Sequence, residues 1–163
     1  MTDKAVLISL RPKWCELMAI FKKKAEIRKT KPNLETPFKC YIYQTHRTWV
    51  YKLFPFLADY QGKVIGEFVC NKIDYWQYNY MADVLHIADM SILSCISIDG
   101  LLEYLGHRFD ANGYDKRLYA WHISDLVIYD KPKELSEFSK YGFGHPVPLK
   151  RPPQSWCYVE VME

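Results

Sequence analysis

Glycine is scarce in this chain. Its seven glycines among 163 residues never fall into a phosphate-cradling loop, a dinucleotide fingerprint or a Gly-x-Ser-x-Gly elbow. Folds that grip a nucleotide cofactor through a glycine-rich turn, and hydrolases built on that elbow, lose their support. Long apolar runs are missing too: nothing approaches the roughly 20 residues a membrane span needs. The opening Met1-Thr2-Asp3-Lys4 lacks the basic-then-apolar order of an export signal. His46, His86, His107, His122 and His145 have no His or Cys partner at zinc-site spacing, so no metal and no cofactor are expected. Five cysteines (Cys15, Cys40, Cys70, Cys95, Cys157), odd in number and far apart, read as reduced buried thiols rather than a disulfide framework. A cytoplasmic protein is expected.

What the chain does have is material for a core. With 49% hydrophobic, 16% aromatic and 25% charged residues it should fold as one domain over 1–163, which excludes disorder, collagen and coiled coil. The net charge of +3 is too mild to demand an anionic partner. Placement says more, since Lys22, Lys23, Lys24, Arg28, Lys29 and Lys31 crowd together while the acids are spread out.

Ala5 to Leu10 reads as a buried strand, and Pro12 suits the first position of a helix that follows Arg11. Trp14, Leu17, Met18 and Phe21 form an i, i+3, i+4, i+7 stripe, with the triple lysine closing the last turn. From Ala25 the period becomes two, so the lysines mark a helix-to-strand corner. Phe38 to Gln44 alternates, with Phe38, Cys40 and Ile42 opposite Lys39, Tyr41 and Tyr43. Arg47 to Tyr60 is aromatic and has no period. Lys63 to Ile73 reads as a long strand in which Gly66 marks a bulge or a close backbone approach. The aromatic stretch from about 74 to 92 reads as an insertion packed on the body, and as a surface open to a protein partner. Ser97 caps a helix with the stripe Ile98, Leu101, Leu102, Leu105 and the stop Gly106. Arg117 to Asp130 is one or two strands, Lys131-Pro132 a break into a short helical piece through Phe138, and Trp156 to Val161 a closing strand. This order implies an α+β fold with a mostly antiparallel, strongly curved or barrel-like sheet and helices at its edges.

The chemistry gathers at Lys23, Glu26 and Arg28. Glu26 and Arg28 project to one face of a strand, and Lys23 at the preceding corner can reach over them. As a binding site, the two cations would hold phosphate or base-edge acceptors while Glu26 orients Arg28 or accepts from an amine. As a catalytic site, a desolvated Lys23 would act as base or nucleophile. As neither, the three are a surface ion pair worth about 0–1 kcal/mol. Trp14, Trp121 and Trp156 read as packing. Tyr41, Tyr43, Tyr75, Trp76 and Tyr78 could present faces for base stacking.

The segment Val6-Leu7-Ile8-Ser9-Leu10-Arg11-Pro12-Lys13-Trp14, followed by Lys23-Lys24-Ala25-Glu26-Ile27-Arg28-Lys29, resembles the opening of ASCH-domain proteins of the PUA-like superfamily. Lys23, Glu26 and Arg28 fill the Lys, Glu and Arg of the signature G-x-K-x-x-E-x-R. Phe21 stands where that signature has glycine, so the corner is expected to be built differently. Gly62-Lys63-Val64-Ile65-Gly66-Glu67-Phe68, Tyr119-Ala120-Trp121-His122-Ile123-Ser124-Asp125-Leu126, Lys131 to Phe138 and Pro152 to Val159 look like later parts of small stand-alone bacterial and phage members. The resemblance implies a PUA-like β-barrel of mixed, mainly antiparallel strands flanked by helices. It also implies a cleft for RNA or a nucleotide at Lys23, Glu26 and Arg28, with Arg11, Lys24 and Tyr43 nearby. Relatives are implicated in RNA binding, ribonuclease activity and hydrolysis of N4-acylated cytidine by a Lys, a Thr and a Glu. That Thr position is Glu26 here, a departure from the hydrolase set; Glu103 is the candidate second carboxylate. A phage protein that binds a host partner is a further alternative.

Overall fold

The computed structural model describes residues 3–78 and 84–162. Among these, the order is β1 (Lys4–Leu10), α1 (Pro12–Ala19), β2 (Ala25–Arg28), β3 (Phe38–Gln44), β4 (Lys63–Gln77), α2 (Val84–Ser94), α3 (Ile98–Leu105), β5 (Arg117–Lys133) and β6 (Trp156–Glu160), with single 3-10 turns at Pro55–Tyr60 and Leu135–Glu137. The strands make one six-stranded sheet in the order β2-β5-β4-β3-β1-β6. β1 and β3 run parallel, Leu10 opposite Gln44, and the remaining pairs are antiparallel.

The fold is therefore α+β, but the expected barrel is not closed. β2 and β6 are the two ends of the sheet and share no backbone ladder. Side chains bridge them instead. The Arg28 guanidinium donates through Nη2 to Ser9 O at 2.8 Å and through Nη1 to Ser155 Oγ at 3.1 Å, and the Trp156 indole donates to Thr30 Oγ1 at 2.9 Å. Charged groups stand in the seam, so a row of main-chain bonds cannot form across it.

Several elements run differently from their sequence patterns. α1 ends at Ala19, before the lysines, and its buried face is Cys15, Met18 and Ala19; Phe21 lies beyond it, 60% exposed. Tyr41 and Tyr43, candidates for packing or for stacking by sequence, are buried, because that face of β3 packs against Val64, Phe138 and Leu149. β4 continues to Gln77 and α2 begins at Val84, so residues 74–77 continue a strand and 84–92 lie in a helix; 79–83 lie outside the described residues. β5 carries through Pro132 to Lys133 at a stretch where the ladder to β4 is already irregular, which spares the ring a lost bond. Gly66 sits at a register shift, and a side chain there would collide with the Val127 carbonyl, so the glycine serves both bulge and close approach. Ser97 Oγ accepts from Gly100 N at 3.1 Å to start α3, and Gly106, at φ 76°, ends it.

The core has one cluster between α1 and the sheet around Ile8, Met18, Ile42, Phe68 and Trp121, a second under α2 and α3 around Ile27, Met90, Leu101 and Leu118, and a third around Tyr41, Val64 and Phe138. Among the described residues no single helix is long and apolar enough to cross a membrane.

Candidate functional site

Phe21 sets up the site. It takes φ 59°, the left-handed region that glycine favours and a bulky side chain rarely enters. The corner thus has a glycine-type backbone although the residue is phenylalanine. Its N–H donates to Met18 O at 2.8 Å, and the next two amides, of Lys22 and Lys23, both reach Leu17 O at 3.0 Å. The chain is thrown back across the end of α1, and Lys23 is directed inward.

Lys23 is 1% exposed, Glu26 6% and Arg28 8%. The Lys23 ammonium donates to the Ser94 carbonyl at the end of α2 at 2.9 Å, lies 3.2 Å from Glu26 Oε2, and sits 4.8 Å from the Trp14 ring centre. Arg28 Nε lies 3.0 Å from Glu26 Oε1, off the line a hydrogen bond needs, while both Nη atoms are bonded across the seam. The three side chains converge in a cation-carboxylate-cation row. A row this buried is far from an idle surface pair, since removing one member leaves an uncompensated charge.

The row floors a cleft of about 1050 Å³, whose walls include Ser9, Arg11, Trp14, Arg47, Glu103 and Tyr104. Its lining carries four cations (Arg11, Lys23, Arg28, Arg47) against two carboxylates (Glu26, Glu103). Arg11 and Glu103 thus stand in the cleft. Lys24 is exposed, with its ammonium over the Phe21 ring, and Tyr43 is buried in the cluster around Phe138; neither lines it. Of the other stacking candidates, Tyr41 and Trp76 are buried and Tyr75 is 48% exposed, outside the cleft.

Sequence reasoning missed Glu16. This α1 carboxylate, 6% exposed, accepts from the backbone N–H groups of Lys52 at 2.7 Å, Leu53 at 2.8 Å and Phe54 at 3.5 Å, and from the Trp49 indole at 3.1 Å. Burial alone would raise its pKa; the bonds from Leu53, Trp49, Lys52 and Phe54 outweigh burial and hold it below the usual carboxylate range. Glu16 thereby ties residues 45–54, the strap after β3, to α1. A buried acid in the middle of a short helix was the available signal. Arg47, on that strap, was missed with it.

A second cavity, of about 450 Å³, is walled by β4, β5 and α2. Asp74 Oδ2 there faces His122 Nε2 at 2.7 Å and Lys72 Nζ at 3.0 Å. Among the described residues no group of His, Cys, Asp or Glu is placed to hold a metal ion. Burial raises the thiol pKa of Cys15 and Cys40, and that of Cys70 to about 12, which marks them as packing residues rather than nucleophiles.

No protein-family model and no curated protein matches the sequence. Solved structures do match. A variant of the ASCH protein from Zymomonas mobilis with a serine changed to alanine superposes with a TM-score of 0.62 at 17% identity, covering 96% of this chain and 88% of that one. The crystal structure titled ASCH from Zymomonas mobilis gives 0.56 at 17% identity over the same shares. A tyrosine-to-phenylalanine variant gives 0.54 at 17% identity, covering 94% and 88%. The chain therefore has the fold seen in these ASCH structures, an α+β architecture, with its sheet left open at the seam that holds Lys23, Glu26 and Arg28.

Proposed function

We propose that the cleft binds RNA or a nucleotide. The observation that carries this reading is the cleft itself: a concavity of about 1050 Å³ with an excess of cations, two aromatic walls at Trp14 and Tyr104, and a polar floor fixed by a buried ion network. Cations attract phosphate, aromatic faces stack bases, and Glu26 with Arg28 offers an acceptor beside donors, the complement of a base edge. Lys23, spent on Ser94 and Glu26, shapes the floor more than it touches the ligand. A cytoplasmic setting accords with five unpaired thiols.

Tyr104 is 39% exposed on α3, so replacing it perturbs the fold little. Fluorescence titration of a short single-stranded RNA should show Tyr104→Ala weakening binding by about 1–3 kcal/mol, the worth of one stacked base. Wild-type affinity in that variant would argue against a ligand seated in the cleft.

The hydrolase reading keeps one supporting observation, that Glu103 and Glu26 line the same cleft. Incubation with RNA and with N4-acetylcytidine decides it: turnover that Glu103→Gln abolishes makes the protein a ribonuclease or amidohydrolase, and no turnover leaves a binding domain.

A further inference from the structure

The floor of the cleft has little charge left to offer. Lys23 and Arg28 are both buried, both beside Glu26, and bonded to Ser94 O, Ser9 O and Ser155 Oγ. The exposed cations of the lining are Arg11 and Arg47, and neither makes an ion pair within the described residues. Both follow parallel strands that end at the same edge of the sheet and both line the same cleft. Arg11 directly follows β1 and Arg47 comes three residues after β3, and the Thr45 amide donates to Leu10 O at 2.8 Å, locking the two strand ends together. The strap is then fixed along its length. Arg47 N donates to Gln61 Oε1 at 2.9 Å, the His46 ring packs where Gly62 leaves no side chain, and Glu16 gathers Trp49, Lys52 and Leu53.

We infer that Arg11 and Arg47 form a phosphate clamp at the mouth of the cleft. The ligand is then a phosphorylated nucleotide unit, its phosphate on the two guanidinium groups and its base directed toward Glu26 and Arg28. Glu16 is a positioning residue that presents Arg47 by holding the strap. The inference rests on the nucleotide-binding reading and narrows it: a nucleoside or free base lacks the group the mouth is built to hold. Two planar guanidinium forks suit the paired oxygens of a phosphate better than ammonium groups would. The unit can be a free nucleotide or a residue of an RNA strand, and both present this phosphate.

The test is calorimetric titration of the full chain with the four ribonucleoside 5′-monophosphates, the matching nucleosides, inorganic phosphate and a short single-stranded RNA. A monophosphate is expected to bind about tenfold or more tighter than its nucleoside, the effect of one good charged contact. Arg11→Gln and Arg47→Gln should each erase that preference, so that monophosphate and nucleoside bind alike. On RNA, each should lower the slope of log affinity against log salt by about 0.7. Glu16→Gln should reduce the phosphate preference while sparing nucleoside affinity, a split that general loosening of the fold would not produce. RNA binding without monophosphate binding assigns the clamp to a polymer, provided the salt slopes fall as stated. Unchanged preference and unchanged slopes in both arginine variants overturn the clamp but leave the cleft as a binding site. Inorganic phosphate matching the monophosphates in affinity overturns the nucleotide assignment. If wild-type protein takes up no nucleoside, nucleotide or RNA, the underlying reading fails instead.

Discussion

Two buried carboxylates, Glu26 in the cleft and Glu16 under the strap that carries Arg47, are satisfied in opposite ways. Glu26 is held by two side-chain cations on its own corner and strand, whereas Glu16 is held by three main-chain amides and an indole of a loop. Glu26 neutralises charges that have nowhere else to go. Glu16 orders a segment that water could otherwise solvate. The first is thus a determinant of whether the chain folds at all, and the second of what shape its cleft mouth takes.

The largest effect tests that distinction directly. Glu26→Ala strands Lys23 and Arg28 as buried charges and should cost about 3–5 kcal/mol in denaturant unfolding. Glu16→Ala should cost less, about 2 kcal/mol, because its donors can turn to solvent once released. A Glu16 variant as damaging as the Glu26 one would break the comparison.

Acid sharpens it further. The folded pKa of Glu16 lies below the ordinary value of 4.5, so its contribution is fully present above that value and is lost as pH falls through the lower, folded one. Glu67 and Asp74 behave alike: burial raises each, but bonds from Tyr129 and Lys39 to Glu67, and from Lys72 and His122 to Asp74, outweigh it. Thermal melts should therefore show stability falling below about pH 4.5, with a shallower fall in Glu16→Ala.

Phe21→Gly should stabilise the protein by about 0.5–1 kcal/mol, the relief of a left-handed bulky residue less the entropy of glycine. A loss on melting would mean that the exposed ring under the Lys24 ammonium matters more than backbone strain. Thr30→Ala, which removes the acceptor of the Trp156 indole, should cost only about 0.5 kcal/mol.

How much of this could be seen beforehand followed chain separation. Lys23, Glu26 and Arg28 lie within six residues, so strand geometry alone brings two of them together, and Ser97, Gly106 and Gly66 signal their caps and bulge by residue type. The donors to Glu16 lie 33 to 38 residues away in a stretch without period, and no local pattern announces them. Tyr41 and Tyr43 stayed open between packing and stacking because the element that covers them, around Phe138, comes almost a hundred residues later. Closure of the sheet was misjudged for the same reason: the curl is local, but whether its ends meet depends on what stands between them.

The open seam carries a mechanical consequence. Among the described residues, parting β2 from β1 and β6 breaks side-chain bonds of Arg28, Trp156 and Tyr158 but no rung of the six-stranded ladder. That line is where the sheet can part without losing a backbone ladder, and deuterium uptake should appear first in the amides bordering it.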